Sequence, residues 1–342
     1  MAEHFWLGMA IIFLSGALNG SFALPMKSAR RWRWENTWLF FSIVALVVLP
    51  WLLAAGFVPH LGDLYRQVPR QALIYPLVLG FIWGITQTTF GIAIGAVGMA
   101  LAFAVVAGLA CLSGSLIPLL SRDPAELFQP RGVLLLISMP ILFLGLFAFG
   151  KAGRSREREQ PSRGSEQNGS GYSFAVGLGI CIFTGSLSSA WNLGFAFSGS
   201  LIQRSTALGA VALTAPYAVW ALILGAGFIP NLLYCVYLLS RNGTWSLFGV
   251  AGRGKEVMLA LAMALLWLSG IVGYGIGTTF VGKYGTSIGF TLFVAAQILS
   301  ANTLGVLSGE WKSTSVRTKR VLTAAVAFTL ISVVVLNLGG LF

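Results

Sequence analysis

Long apolar runs alternate with short polar segments along this chain. The runs are 5–25, 36–58, 72–94, 97–121, 132–151, 173–197, 207–229 (with an extension to 239 left open), 257–281, 285–308 and 320–341. Each has an interior free of charge and about 20 residues long, enough to cross a bilayer as an α-helix. The pattern predicts an all-α polytopic membrane protein with ten transmembrane helices. No charged residue occurs from Gln71 to Ser121, a stretch too long for one helix, and Gly91, Gly95 and Gly98 mark the expected turn. Gly282-Lys283-Tyr284-Gly285 marks a matching turn later in the chain.

The runs fall five on each side of the polar segment 153–172, which is Gly/Ser-rich and of mixed charge. Such a segment cannot bury an apolar core and reads as a linker. The expected organisation is a first five-helix repeat (1–152), a cytoplasmic linker (153–172) and a second five-helix repeat (173–342). An odd number of helices per half makes the second half enter the membrane in the opposite sense, giving a 5+5 inverted repeat. A faint internal echo supports this. Gly98, Phe103, Leu112, Ser113, Leu120 and Ser121 recur at one constant spacing as Gly285, Phe290, Leu299, Ser300, Leu307 and Ser308.

Composition agrees: the chain is 56% hydrophobic and 9% charged, against roughly 25% charged in soluble domains. The net charge of +12 does not indicate nucleic acid, because the basic residues sit in alternate loops rather than on one face of a soluble domain. Of the 22 Lys and Arg residues, 16 fall in the loops on the linker's side. The positive-inside rule puts those loops in the cytoplasm and both termini outside. The first run has no basic residues before it and no small-residue cleavage site, so it reads as a retained helix. The sequons at Asn168 and Asn242 fall on the cytoplasmic side and are discounted. Cys111, Cys181 and Cys235 lie singly in apolar runs and give neither disulfide nor metal spacing.

The interiors of the runs lack Asp, Glu, His, Lys and Arg. That argues against a catalytic constellation and against a buried ionisable relay; no cofactor or metal is expected. What remains is neutral amides, hydroxyls and large aromatics. Amides hydrogen-bond hydroxyl groups, and aromatic faces cover the C–H face of a sugar ring, so the expected partner is a neutral polar solute. Trp83, Gln87 and Phe90 share one helix face, as do Ser188, Asn192 and Phe195 with Trp191 adjacent. Trp267 and Tyr274 are two turns apart, and Asn19, Gln297 and Asn302 complete the candidate set. Gln87 and Asn192 lead it. An interhelical hydrogen bond is the competing role for each amide. Trp34, Trp38 and Trp311, near run ends, are expected to anchor at the membrane interface.

Several segments carry a resemblance: Pro25-Met26-Lys27, Trp32-Arg33-Trp34-Glu35, Leu49-Pro50-Trp51, Trp83-Gly84-Ile85, Val97-Gly98-Met99, Asn231-Leu232-Leu233-Tyr234-Cys235 and Gly309-Glu310-Trp311-Lys312. No triplet is specific, but their order over the whole chain is. The chain resembles the L-rhamnose–proton symporter family of the drug/metabolite transporter superfamily. The resemblance implies a multi-pass protein of the bacterial inner membrane that takes up a deoxy sugar with protons. A symporter needs a group that loads and releases a proton, and the candidates are Glu35 and Glu310, at the cytoplasmic ends of the second and ninth runs. The alternatives from the residues are a proton-independent facilitator or exporter of another metabolite and, ranked below it, a membrane sensor or scaffold.

Overall fold

The computed structural model describes residues 2–97, 99–122, 124–159, 174–309 and 311–338. Among them every regular element is helical. In chain order these are α1 (Ala2–Ser21), α2 (Trp34–Ser42), α3 (Leu49–Phe57), α4 (Leu61–Gln67), α5 (Arg70–Val97), α6 (Met99–Arg122), α7 (Pro130–Glu159), α8 (Phe174–Ser188), α9 (Ala190–Ala196), α10 (Gly199–Ala207), α11 (Tyr217–Asn242), α12 (Arg253–Val281), α13 (Ile288–Leu307) and α14 (Val316–Asn337). Eight stretches are long and apolar enough to cross a membrane, and Val105–Ser121 of α6 is a shorter apolar helix. The outer surfaces carry exposed apolar side chains such as Leu14, Leu52, Phe147 and Leu233. This inside-out appearance suits a helix facing lipid.

Of the two expected glycine turns the later one is described in full; at the earlier, α5 stays helical through Gly91 and Gly95 to Val97. α5 and α6 meet on either side of Gly98, which itself lies outside the described residues, and Gly282–Tyr284 forms a 3-10 turn between α12 and α13. Gly282 has φ +75°, a left-handed conformation open to glycine at no steric cost. α2 and α3 form one rod through a π-helical segment, Ile43–Val48. Pro50 has no N–H to give, and the wider register just before it lets Leu49 N–H reach Val44 O instead.

Three boundaries differ from the sequence expectation. The sixth run is interrupted at Ser189 and continues as α9 and α10 to Ala207. The seventh then begins at Tyr217, behind a Thr214–Pro216 turn, rather than at 207. Helix α7 runs to Glu159, into the segment expected as linker, because its polar residues continue the helix into water. The remainder of that segment lies outside the described residues.

The helices pack in a definite set of pairs. α1 lies on α12 and α13; α8 and α9 lie on α5 and α6; α11 lies on α5 and on the α2–α3 rod; α12 also touches α2; and α7 pairs with α14. Between lipid-solvated helices, close backbone approach at small residues drives such packing. At α5 against α11, a Cβ built on Gly84 would sit 2.3 Å from Gly227 O, and one on Gly80 would sit 2.3 Å from Ile223 O. Neither backbone can yield locally. Gly84→Val is therefore expected to give protein that reaches the membrane but runs as aggregate on size exclusion in mild detergent. A monodisperse, transport-competent Gly84→Val protein would refute this packing.

Candidate functional site

The middle of the bundle holds most of the amides and aromatics singled out from the sequence. Trp83, near the midpoint of α5, stacks on Trp267, near the midpoint of α12, with ring centroids 5.9 Å apart and planes at 24°. The Trp267 carbonyl accepts from Asn19 Nδ2 on α1 (3.2 Å), and Asn19 Oδ1 accepts from Gln297 Nε2 on α13 (2.9 Å). One group thus joins Asn19, Trp83, Trp267 and Gln297 across four helices.

Two turns along α12, about 10 Å, Tyr274 begins a second group. Its hydroxyl donates to Asn192 Oδ1 at 2.5 Å. Asn192 Nδ2 donates to Gly114 O (2.8 Å) and Thr286 O (2.9 Å). The Gly114 bond has a cause in the sequence: residue 118 would normally donate to that carbonyl, but it is Pro118, inside α6. Asn192 supplies the missing donor. It can do so because the chain breaks at Ser189, whose hydroxyl bonds Ser113 of α6 at 2.7 Å. Trp191 packs edge-on against Tyr274, Phe290 and Phe293, with centroids 5.3–5.8 Å away.

The two leading amides differ in state. Asn192 is fully buried and all its bonding capacity on this face is used. Gln87, one turn beyond Trp83, is half-buried and has no hydrogen-bond partner among the described residues. Its threonine neighbours are occupied: Thr86 bonds Trp83 O, Thr88 bonds Ile85 O, and Thr89 bonds Thr184. Asn302 stays apart from the central groups, its amide turned back to Ile298 O on its own helix. Sequence reasoning passed over Trp220. Its indole stacks on Phe195 at 4.3 Å and lies against Gly275, and its buried Nε1 has no partner. Thr286 Oγ1, beside the carbonyl that Asn192 holds, is likewise buried and unpartnered. Trp220 sits in a plain apolar run without an amide nearby, so nothing in the sequence marked it.

A polar network closes one end of the bundle. Glu35, 5% exposed, accepts from Thr244 Oγ1 (2.8 Å) and Asn242 Nδ2 (3.0 Å). Asn36 Nδ2 donates to Thr244 O, and Trp32 Nε1 to Leu247 O. Glu256, 2% exposed, accepts from the Arg30 and Arg31 backbone N–H groups at 3.3 Å, leaving Oε2 unpartnered. Glu35, a proton-coupling candidate from the sequence, is buried under the segment following α11. Glu310 lies outside the described residues. Of the three tryptophans expected at the interface, Trp311 is buried and Trp38 is half-buried. Trp38 donates to Asn231 Oδ1 at 3.1 Å, and Trp311 is buried beneath the Arg156 guanidinium, 4.9 Å from its ring. Trp34 is exposed and stacks on Trp38. Among the described residues no group of His, Cys, Asp and Glu could hold a metal ion.

The arrangement offers neutral donors, acceptors and ring faces in the middle of the bundle, with the described carboxylates at or beyond the helix ends. Known proteins are similar to this chain over its whole length. The sequence model of the family described as L-rhamnose-proton symport protein matches residues 1–341. The L-rhamnose-proton symporters of Cronobacter sakazakii and Pectobacterium atrosepticum are each 23% identical over 346 residues, covering 99% of this chain and of theirs. That of Klebsiella pneumoniae is 22% identical over 340 residues, 97% of each chain. With a match of this extent, the chain belongs to the L-rhamnose-proton symport family, a family of membrane transporters rather than enzymes.

Proposed function

We propose that this chain imports a neutral sugar, L-rhamnose or a close relative, together with protons, by alternating access between two inverted five-helix halves. The observation that carries the reading is the joining of a full-length family match to a charge-free, amide- and aromatic-lined centre. A 6-deoxy sugar has hydroxyls for Gln87 and, in exchange for their present partners, for Asn19 and Asn192, and an apolar edge for Trp83, Trp191, Trp267 and Tyr274. Trp220 and Thr286 join this set, since a buried donor or hydroxyl without a partner calls for an explanation, and a sugar hydroxyl supplies one.

The packing supports ten helices in a 5+5 repeat. Number the membrane helices so that α1 is first, α2–α3 second, α5 to α7 third to fifth, α8–α9 sixth and α11 to α14 seventh to tenth. Exchanging each helix with the one five later then returns the main packing pairs. α1 on α12 and α13 becomes α8–α9 on α5 and α6. Ser113 and Ser300, equivalent in the internal echo, make equivalent bonds: Ser113 to Ser189 of the sixth helix, Ser300 to Ala17 O of the first (2.8 Å). The stacked pair Trp83 and Trp267 are mates in the same sense. Phe90-Gly91 and Tyr274-Gly275 follow them at the same interval. Substrate sites of inverted-repeat transporters lie at such a repeat interface, near the midplane.

In this reading the network around Glu35 and Glu256 is the closed cytoplasmic gate, and both termini are outside. Glu35 is the proton-coupling residue, with Glu310 the second candidate: neutralising Glu35 weakens the charge-assisted bonds from Asn242 and Thr244. Purified protein in liposomes should accumulate labelled L-rhamnose under an inward proton gradient, and accumulation should cease when a protonophore is added. Equilibration at an unchanged rate without a gradient would instead establish a facilitator, a reading favoured by the absence of carboxylates from the middle of the described helices. If no neutral sugar in a panel enters, sugar transport itself is refuted.

A further inference from the structure

At the end of α7 the chain builds a second polar feature that sugar transport does not use. A cleft of about 350 Å³ lies between the last turns of α7 and the first turns of α14. Its walls carry Lys151, Arg154 and Arg158 from α7 and Arg317 from α14, with Ser155 and Val321 between them. None of these four cations forms an ion pair among the described residues. Like charges held this close repel one another, and packing alone gives no reason to gather them.

One carboxylate, Glu159, lines the same cleft, but it is already engaged. It accepts from Ser315 N–H (2.6 Å), Ser315 Oγ (2.7 Å) and Thr318 Oγ1 (2.7 Å), fastening α7 to the start of α14. These donors, led by the Ser315 backbone N–H, hold its carboxyl below the usual range. Its lone pairs thus face α14, and the four cations keep a net positive field.

The position of the cleft selects the kind of anion. The apolar span of α7 ends at Arg156 and that of α14 begins at Val316, so the cleft sits where hydrocarbon gives way to headgroups. Beneath it the surface is apolar and exposed. Leu144 and Phe147, the latter 71% exposed, precede Lys151 by seven and four residues and share its helix face. On α14, Arg317, Val321 and Phe328 follow the same rule, with Phe328 exposed. A soluble anion would use the cations and leave these stripes bare. A phospholipid uses both, with phosphate among the cations and acyl chains along the stripes. Basic pockets between transmembrane helices suit anionic headgroups, and guanidinium groups suit phosphate oxygens.

We propose that the cleft between α7 and α14 binds the headgroup of an anionic phospholipid, with its acyl chains lying on the apolar stripes below. The site is independent of the sugar reading and stands if that reading fails.

The test is native mass spectrometry of the full-length protein with phosphatidylglycerol or phosphatidylcholine of matched chains, alongside thermal melts in the same mixtures. Wild-type protein should retain phosphatidylglycerol at least about fivefold over phosphatidylcholine, since each surface cation near anionic lipid contributes about 1 kcal/mol, and its melting temperature should rise with phosphatidylglycerol alone. The preference should fall as salt is raised. R154Q/R317Q should lose both the preference and the melting shift, while R70Q, at the far end of α5, keeps them. Should the double variant not fold, the single variant R158Q and the wild-type salt titration provide the same readouts. Equal retention of the two lipids, as expected if residues 160–173 of the chain fill the cleft, overturns the proposal. So does a preference that survives in the folded variants. A melting shift reproduced by millimolar inorganic phosphate also overturns it, because the site would then take free anions.

Discussion

Asn192→Ala is expected to cost the protein both its stability and its transport. The side chain is wholly buried and makes three bonds, donating to Gly114 O and Thr286 O and accepting from Tyr274. Alanine removes the donor from two buried carbonyls and the acceptor from the Tyr274 hydroxyl, in a site that water does not readily reach. An unmet buried group costs about 1–3 kcal/mol, although membrane hydrogen bonds measured in pairs average nearer 0.6 kcal/mol. Between these limits the expected loss is about 2–5 kcal/mol. The Gly114 carbonyl is the most exposed to this loss, because Pro118 cannot take over the bond within α6. Tyr274→Phe removes one bond of the three and should cost about 1 kcal/mol. Melts in detergent would rank wild type above Tyr274→Phe and Tyr274→Phe above Asn192→Ala, with uptake lost in the last. If Asn192→Ala melts with the wild type, the amide does not join α6, α9, α12 and the start of α13 as described. Such a variant cannot by itself identify a sugar contact, because a collapsed centre transports nothing.

The architecture was legible where it depends on one-dimensional pattern. Charge-free runs mark the membrane helices, and the glycines at 282–285 mark the turn between α12 and α13. Orientation of individual side chains was less legible. A membrane helix is apolar all round, so its sequence stripe does not say which face meets other helices. Asn302 was grouped with Gln297 on that basis, yet only Gln297 reaches another helix. Burial of Glu35 was invisible because its partners, Asn242 and Thr244, arrive from a segment some 200 positions away. Glu256 escaped notice for the same reason: its ligands are backbone N–H groups, which leave no mark on the sequence. The interruption at Ser189 was missed because no proline or charge announces it. It is paid for by Ser113 on α6, a neighbour only in three dimensions.

Gln87→Ala, unlike Asn192→Ala, is expected to leave stability intact while weakening transport. Gln87 is half-buried, lies one turn from the Trp83–Trp267 stack, and has no partner among the described residues. Its loss breaks no bond of the resting protein, so the melting curve should stay within about 0.5 kcal/mol of wild type. In the proposed function the free amide waits for sugar hydroxyls. Deleting it should lower uptake about tenfold, since a tenfold change corresponds to about 1.4 kcal/mol, near the upper end of what one neutral hydrogen bond contributes. The effect should appear chiefly as a raised KM for sugar, with proton-gradient dependence retained. Thr88→Val, one position away, serves as the control, because Thr88 already spends its hydroxyl on Ile85 O; its uptake should stay near wild type. Wild-type uptake in Gln87→Ala would remove Gln87 from the substrate site. A matching fall in melting temperature would assign it to helix packing, as with Asn192. Only a folded protein with weakened sugar uptake separates binding from scaffolding, and among the amides of this centre Gln87 is the one whose free bonding capacity allows that separation.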